Sequence, residues 1–239
     1  MTEGAGLRTP GSCPVCGGTS FRFEPVLWKE LVESWGLSAE EADYVDRQQG
    51  LCCESCRCNL RSMTLASAIM DALNFSEGTF DRFCADSIPG DTLRFLEINE
   101  AGHLTPYLRL LKKYTFLSFP ETDMQNMEEL PDRSFDVVIH SDTLEHVPRT
   151  DLALRECRRV LQPGGLLAYT VPVITGRLGR RRDGLSPSYH GVPGHESEEM
   201  RVVTEYGADF WCEALAAGFR SVGIGALVFP DSVAVVARR

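Results

Sequence analysis

The 239-residue chain has no apolar run near the ~18 residues that a membrane-spanning helix needs, so no membrane partner is expected. Its opening MTEGAGLRTPGSC has neither the basic nor the apolar region of a secretory signal, and the reading is a soluble, cytoplasmic protein. Positive charge is in short supply. Lys and Arg number 24 against 34 Asp and Glu, a net charge of -10 that disfavours broad nonspecific binding to nucleic acid. The one basic cluster, Arg177 with Arg180, Arg181 and Arg182, reads as a solvated loop or as a contact for an anionic substrate. No internal repeat and no low-complexity tract is present, which leaves one large domain with a small appendage as the expected organisation.

Cysteine, by contrast, is plentiful: nine residues, most of them before residue 60. In a reducing compartment such clustering points to metal before disulfides. Cys13-Pro14-Val15-Cys16-Gly17-Gly18 and Cys53-Glu54-Ser55-Cys56 are two CxxC knuckles, each able to grip one ion with two thiolates. Together they offer four soft ligands, Cys13, Cys16, Cys53 and Cys56, suited to tetrahedral structural zinc. Cys52 and Cys58 flank the second knuckle, and either is an alternative for one ligand. Between the knuckles, residues 25–35 and 38–48 read as helices, the second opened by a Ser38/Glu41 capping box. The stripe Trp28, Leu31, Val32, Trp35 reads as core. A further helix, 59–74, and an aromatic connector with Phe75, Phe80 and Phe83 lead to residue 90. The expected division is 1–60 for the zinc module, 61–90 for a linking helix and connector, and 91–239 for the main domain.

The main domain is organised around residues 134–172. Phe135 to His140 reads as a buried parallel strand, 151–161 has helical spacing, Gln162-Pro163-Gly164-Gly165 stops that helix, and Leu166 to Val173 is apolar again. Such a βαβ unit crosses over right-handed, and ligands lie beyond the carboxyl ends of its strands. Before it come a strand at 93–98, a helix at 104–113 and a strand at 114–119. After it comes a polar Gly/Pro-rich loop, 175–201, long enough for a lid or binding loop. A short strand at 202–205, a helix at 208–217 capped by Gly218, and a hairpin of 221–229 with 233–237 close the chain.

The series Phe135-Asp136-Val137-Val138, Leu144-Glu145-His146-Val147 and Arg159-Val160-Leu161-Gln162-Pro163-Gly164-Gly165 resembles class I S-adenosylmethionine-dependent methyltransferases of the methyltransferase type 11 kind. The resemblance covers roughly 91–239. It implies a Rossmann-like α/β fold, with a mostly parallel sheet of the seven-stranded type and an antiparallel last strand, and S-adenosylmethionine at the carboxyl ends of the first four strands. Two departures stand out. The first loop, Glu97-Ile98-Asn99-Glu100-Ala101-Gly102, has one glycine where the family has two or three. Only about 20 residues separate Lys113 from Ser134, so a helix and a strand are short of room and the sheet is abbreviated.

By this resemblance the cofactor-side candidates are Glu97, Asn99, Gly102, His103, Glu121, Asp123, Met124, Ser141, Asp142 and His146. Glu121 is placed at the ribose hydroxyls and Asp123-Met124 beside the adenine, with the reverse assignment open. His190 is the preferred general base, with His146 as a second catalytic candidate that also fits a site-shaping role. Tyr189, His195, Tyr206 and Trp211 are candidates for the acceptor wall, although Trp211 also fits the core. The expected activity is direct, in-line methyl transfer to a small-molecule acceptor of natural-product or sugar type. The alternatives are an RNA or protein methyltransferase that uses the zinc module for recognition, and a cofactor-binding protein that is non-catalytic or moves another group.

Overall fold

A computed structural model describes residues 8–189 and 197–239. The N-terminal part opens with β1 (Phe21–Phe23), α1 (Lys29–Trp35), α2 (Ala39–Gly50) and β2 (Leu51–Cys53). Gly36, at φ 58°, ends α1 in the left-handed conformation that glycine tolerates. Ser38 caps α2 as expected: its hydroxyl accepts from the Glu41 amide at 3.2 Å, and the Glu41 carboxylate accepts from the Ser38 amide at 2.9 Å. β1 and β2 pair antiparallel, bringing Phe21 opposite Cys53 and the two knuckles together. Next come α3 (Leu60–Ala72), capped by Asn59, and the short helices α4 (Phe80–Asp86) and α5 (Ile88–Thr92).

The main sheet is built from β3 (Phe95–Ile98), β4 (Tyr114–Leu117), β5 (Phe135–Ser141) and β6 (Leu161–Thr170). Between β3 and β4 lie a 3₁₀ turn, Gly102–Leu104, and the four-residue α6 (Thr105–Leu108). Between β5 and β6 lie a second 3₁₀ turn, Leu144–His146, and α7 (Thr150–Val160). Three short strands follow, β7 (Val173–Ile174), β8 (Arg180–Arg181) and β9 (Thr204–Gly207), which form a separate small sheet in the order β7-β9-β8. Then come α8 (Cys212–Ala216) and the closing hairpin of β10 (Ser221–Leu227) with β11 (Ser232–Arg238). The main sheet runs β10-β11-β6-β5-β3-β4. Pairings among β3 to β6 are parallel, and β11 lies antiparallel to both β6 and β10.

This is the Rossmann-like α/β fold with an antiparallel last strand, and among the described residues six strands form the main sheet in place of the seven that the resemblance implies. The shortfall lies in residues 118–134, where the chain makes turns and no further strand before β5. The expected helix over 104–113 shrinks to a 3₁₀ turn and α6. Conversely, Gln162 to Gly165 do not separate a helix from a later strand. They sit inside β6, where the register against β5 shifts between Phe135 and Val137.

Alternation along the strands sorts the core into two layers. Phe95, Val137, Ile139, Leu166, Ala168 and Ala234 face α3, α4 and the cysteine region. Leu96, Ile98, Val138, Leu167, Tyr169 and Val235 face α7 and α8. One apolar cluster thus runs unbroken from Cys13 and Val15 through Leu60, Met63 and Phe83 to the sheet. The 60–72 helix serves as the cover of one sheet face, the role that crossover helices fill in most doubly wound sheets. Arg159, at the end of α7, ties the turns before β5 to the helix. It donates to the Met127 and Leu130 carbonyls, each at 2.8 Å, and to Glu156.

Candidate functional site

The strand order reverses direction between β3 and β5. The chain passes from β3 outward to β4, then returns to the other side of β3 for β5. The crevice outside the carboxyl ends of the strands at such a point is where ligands bind in open α/β sheets. The loops that leave β3, β4 and β5 there carry the cofactor-side candidates.

Asn99 and Gly102, at φ 56° and 58°, give the first loop two left-handed residues. Asn99 occupies a conformation that glycine favours and asparagine tolerates, which accounts for the glycine-poor sequence. Its Oδ1 accepts from the Phe119 amide at 3.0 Å, clasping the loops after β3 and β4 together. A Cβ at residue 102 would stand 3.1 Å from Ser62 Oγ, so α3 presses directly on this loop. Glu97 lies beneath it with 1% of its surface exposed. Its Oε1 accepts from the Ala101 amide at 2.7 Å and from Thr105 Oγ1 at 2.6 Å, while Oε2 accepts from the Tyr114 hydroxyl. Glu97 therefore braces the loop from inside. His103 is exposed, and its carbonyl accepts from Cys58 Sγ.

After β4, Glu121 is an exposed carboxylate 3.3 Å from Ser118 Oγ. Asp123 is occupied within its own turn, accepting from the Gln125 amide at 2.9 Å and from the Gln125 side chain. Met124 is buried in the layer facing α7. After β5, Ser141 shares a 2.7 Å hydrogen bond with Thr170 at the end of β6. Asp142, at φ 49°, forms an ion pair with Arg61 of α3. Burial raises the Asp142 carboxyl above the usual range, and Arg61 opposes this. Glu145 is raised further, by burial and then by the neighbouring Asp142. His146 is held by the Arg201 carbonyl at 3.0 Å from Nδ1 and stands 3.7 Å from Glu145; burial lowers its pKa.

Of the acceptor-side candidates, His190 and His195 lie outside the described residues. Tyr189 is half-buried and bridges to Arg201. Tyr206 is buried in the layer facing α7, with its hydroxyl donating to Glu213 at 2.9 Å. Trp211 packs against the same layer. The arginine cluster is neither free nor solvated throughout. Arg182 is buried, pairs with Glu205 and donates to the Ser186 carbonyl at 2.8 Å; Arg180 grips the same carboxylate from its exposed side. A cleft of about 770 Å³ opens between these arginines and α1.

On the far side of Trp35 lies a smaller cavity of about 260 Å³, lined by Trp28, Leu31, Val45, Pro172 and Arg61 among others. The sequence reading assigned its aromatic stripe to core and gave Arg61 no role at this site. One signal was available: Arg61 is the only charged residue between Asn59 and Met70.

The four knuckle thiols also converge. Cys13, Cys16, Cys53 and Cys56 place their sulfurs within 4.8 Å of one another. The Cys13–Cys56 and Cys16–Cys53 separations are 3.6 and 3.7 Å. Thiolates around a tetrahedral zinc lie about 3.8 Å apart, given Zn–S bonds of about 2.3 Å. Burial pushes the Cys13 thiol up and the Cys16 thiol to about 11, and backbone amides of Val15, Cys16 and Gly18 oppose this. At Cys53 burial is outweighed by the amides of Cys56 and Ser55, and its pKa is lowered. Amides turned toward sulfur favour thiolate, so the donor set fits a thiophilic metal. Cys52 Sγ donates to the Gln49 carbonyl, and Cys58 Sγ reaches the His103 carbonyl while also lying against Cys56.

The loops after β3, β4 and β5 fall within one recognisable stretch. Residues 99–169 match the methyltransferase domain family. Over 75 residues the chain is 41% identical to a fatty-acid O-methyltransferase of Mycolicibacterium smegmatis, spanning 31% of this chain and 26% of that protein. Over 87 residues it is 29% identical to a ubiquinone biosynthesis O-methyltransferase of Pseudomonas syringae pv. tomato, spanning 36% and 37%. The chain thus spans between a quarter and two fifths of the length of these relatives. Among solved structures, the 1,6-didemethyltoxoflavin N1-methyltransferase of Burkholderia thailandensis is similar with a TM-score of 0.42, at 12% identity over 92% of this chain and 94% of that one. The matched segment therefore contains the first loop after Ile98, β5, α7 and β6 up to Tyr169, and every candidate from Asn99 to His146.

Proposed function

We propose that the chain is an S-adenosylmethionine-dependent O-methyltransferase acting on a small molecule, with zinc held by Cys13, Cys16, Cys53 and Cys56. The observation that carries the reading is the coincidence of the methyltransferase segment, 99–169, with the loops at the point where the sheet reverses. The names of the curated relatives, both O-methyltransferases, support oxygen as the acceptor atom. A natural-product or sugar-type acceptor fits this class.

S-adenosylmethionine supplies an already activated methyl group, so the protein's task is to bind and orient. In this reading the Asn99–Gly102 loop receives the cofactor with its backbone, and Glu97 fixes that loop by accepting from Ala101 and Thr105. The exposed Glu121 carboxylate is suited to two ribose hydroxyls, since it can accept from both. Asp123, engaged by Gln125, shapes the adenine side through its turn. His146, with its Nδ1 at the Arg201 carbonyl, is suited to orienting the segment that leads into β9, and the tautomer that donates there leaves Nε2 able to accept a proton. The zinc would clamp the two knuckles and so hold the start of α3 against the first loop. No helix among the described residues is long and apolar enough to cross a membrane. Clustered cysteines that hold a metal rather than pair with one another belong to a reducing compartment, and the cytoplasm fits this reading.

Calorimetric titration with S-adenosylhomocysteine tests the reading: saturable binding, weakened at least about tenfold by Glu121→Ala, is expected. Absence of binding by metal-loaded protein would overturn it.

A further inference from the structure

The cleft of about 770 Å³ between α1 and the β7-β9-β8 sheet takes no part in that reading. β7 starts just past the end of β6, so this small sheet stands at the end of the main sheet where its parallel strands finish. Alternation along β8 and just after it turns Arg180 and Arg182 to the cleft, while Arg181 faces Asp183 and the Pro148 carbonyl. Arg180 stands directly across from Glu205 of β9. The buried Glu205 carboxylate accepts from Arg180 Nε at 2.8 Å and Nη2 at 3.2 Å, and from Arg182 Nη1. Arg182 is itself only 4% exposed, and its Nη2 donates to Ser34 Oγ of α1 at 3.2 Å and to the Ser186 carbonyl at 2.8 Å. Arg177, also at the cleft, donates from Nη2 to the Trp35 carbonyl at 2.9 Å and has its Nε 3.8 Å from Glu41.

One of these arginines exceeds what the packing needs. Arg182 alone neutralises Glu205 and ties the small sheet to α1. Arg180 bonds only to Glu205 among the described residues, and its side chain is 45% exposed. Its bonds to Glu205 use Nε and one Nη2 proton. Nη1 and the second Nη2 proton form a free guanidinium edge, a fork that a planar carboxylate fits with two parallel hydrogen bonds. The charges narrow the ligand further. Three guanidiniums meet two carboxylates, Glu205 and Glu41, which leaves one positive charge in surplus on this wall. Across the cleft α1 presents Glu30 and Glu33, both exposed, the second paired with Lys29 at 3.6 Å. A single negative charge balances the surplus, whereas a second would go unmatched and meet the glutamates. Trp35 and Leu185 add apolar lining, and the volume falls within the roughly 300–1,000 Å³ of small-molecule sites. We propose that this cleft is a recognition site for a small monocarboxylate, with the carboxylate on the free edge of Arg180, Arg177 completing the positive wall, and the apolar body toward Trp35 and Leu185.

The test is calorimetric titration of the metal-loaded, full-length protein with 4-methylbenzoate, 4-methylbenzamide and 4-methylphenyl phosphate at one ionic strength. Saturable binding of the benzoate is expected, at least about tenfold tighter than that of the neutral amide or the doubly charged phosphate ester. Arg180→Ala should weaken it by at least about tenfold. That variant keeps the Arg182–Glu205 pair and so the tie to α1. Arg181→Ala, on the face turned away from the cleft, should bind as the parent does. The proposal is overturned by absence of saturable benzoate binding, by equal or tighter binding of the amide or the phosphate ester, or by an Arg180→Ala variant that binds the benzoate unchanged. The comparison of three probes on the parent protein stands even if a variant fails to fold. A parallel titration with S-adenosylhomocysteine keeps this site apart from the methyl-transfer reading. Cofactor binding without benzoate binding refutes the cleft alone, and benzoate binding without cofactor binding refutes methyl transfer while the cleft stands.

Discussion

His140 is fully buried at the end of β5, stacked on Tyr169 with ring centroids 4.8 Å apart, and neither ring nitrogen has a hydrogen-bond partner among the described residues. Burial pushes its pKa down from 6.5 to about 3. Between these values the unfolded chain binds a proton that the native state refuses. Its contribution is therefore full above pH 6.5 and declines as pH falls toward 3, by about 1.4 kcal/mol per pH unit. Urea unfolding at pH 7.5 and 5.5 should show a steeper loss in the parent than in His140→Phe, and equal losses would exclude His140 as the cause. Glu97 poses a different residue-scale question, because both its oxygens only accept. Glu97→Gln turns an amide donor toward either the Ala101 N–H or the Tyr114 hydroxyl. A cost of about 1.5–3 kcal/mol in urea unfolding is expected, with weakened binding of S-adenosylhomocysteine as the first loop loosens. If instead binding is lost with stability untouched, Glu97 acts on the ligand and not on the loop.

Among the elements, α2 stands on its cap. Ser38 and Glu41 satisfy each other's amides, and Tyr44, Val45 and Gln48 carry the buried side of the helix. Ser38→Ala should cost about 1 kcal/mol in chemical denaturation, and a neutral result would mean that tertiary packing alone fixes the helix start. This cap was legible because a capping box is a local pattern. The β5–α7–β6 unit was legible for the same kind of reason: an apolar run, helical spacing and a second apolar run need no distant information. The helix read over 104–113 was not. Leu104 and Leu108 share their apolar cluster with Leu60, Met63 and Leu65 of α3, and Ser62 presses on Gly102. With α3 already covering that side, the crossover between β3 and β4 is held to a turn and four helical residues, a competition between segments 40 residues apart that local spacing cannot reveal. The candidate site divides in the same way. The loops after β3, β4 and β5 follow from motif order. The wall formed by Trp28, Trp35 and Arg61 does not, since a helical stripe looks alike whether it faces a core or a cavity.

At the scale of the whole molecule, the cysteine region and the sheet have no separate cores. Cys13, Val15 and Leu51 belong to the same cluster as Phe95, Val137 and Ala234, joined through α3. A clamp on the knuckles is thus a clamp on the sheet, and metal-binding energy is folding energy for the entire chain. Chelation or Cys16→Ser should therefore lower the melting temperature of the whole protein in a single calorimetric transition. A loss of even about 3 kcal/mol corresponds to a fall of about 6–12 °C for a chain of this size. The alternative, an independently folding metal module, gives two transitions, with the chelator moving only one. The same coupling reaches the ligands. Cys56 stands five residues before Arg61, and Cys58 bonds to the His103 carbonyl in the loop after β3. Metal removal at a temperature where the fold persists should then weaken S-adenosylhomocysteine binding. Unchanged affinity in the chelated, folded protein would show that α3 holds Ser62 against the first loop without the clamp.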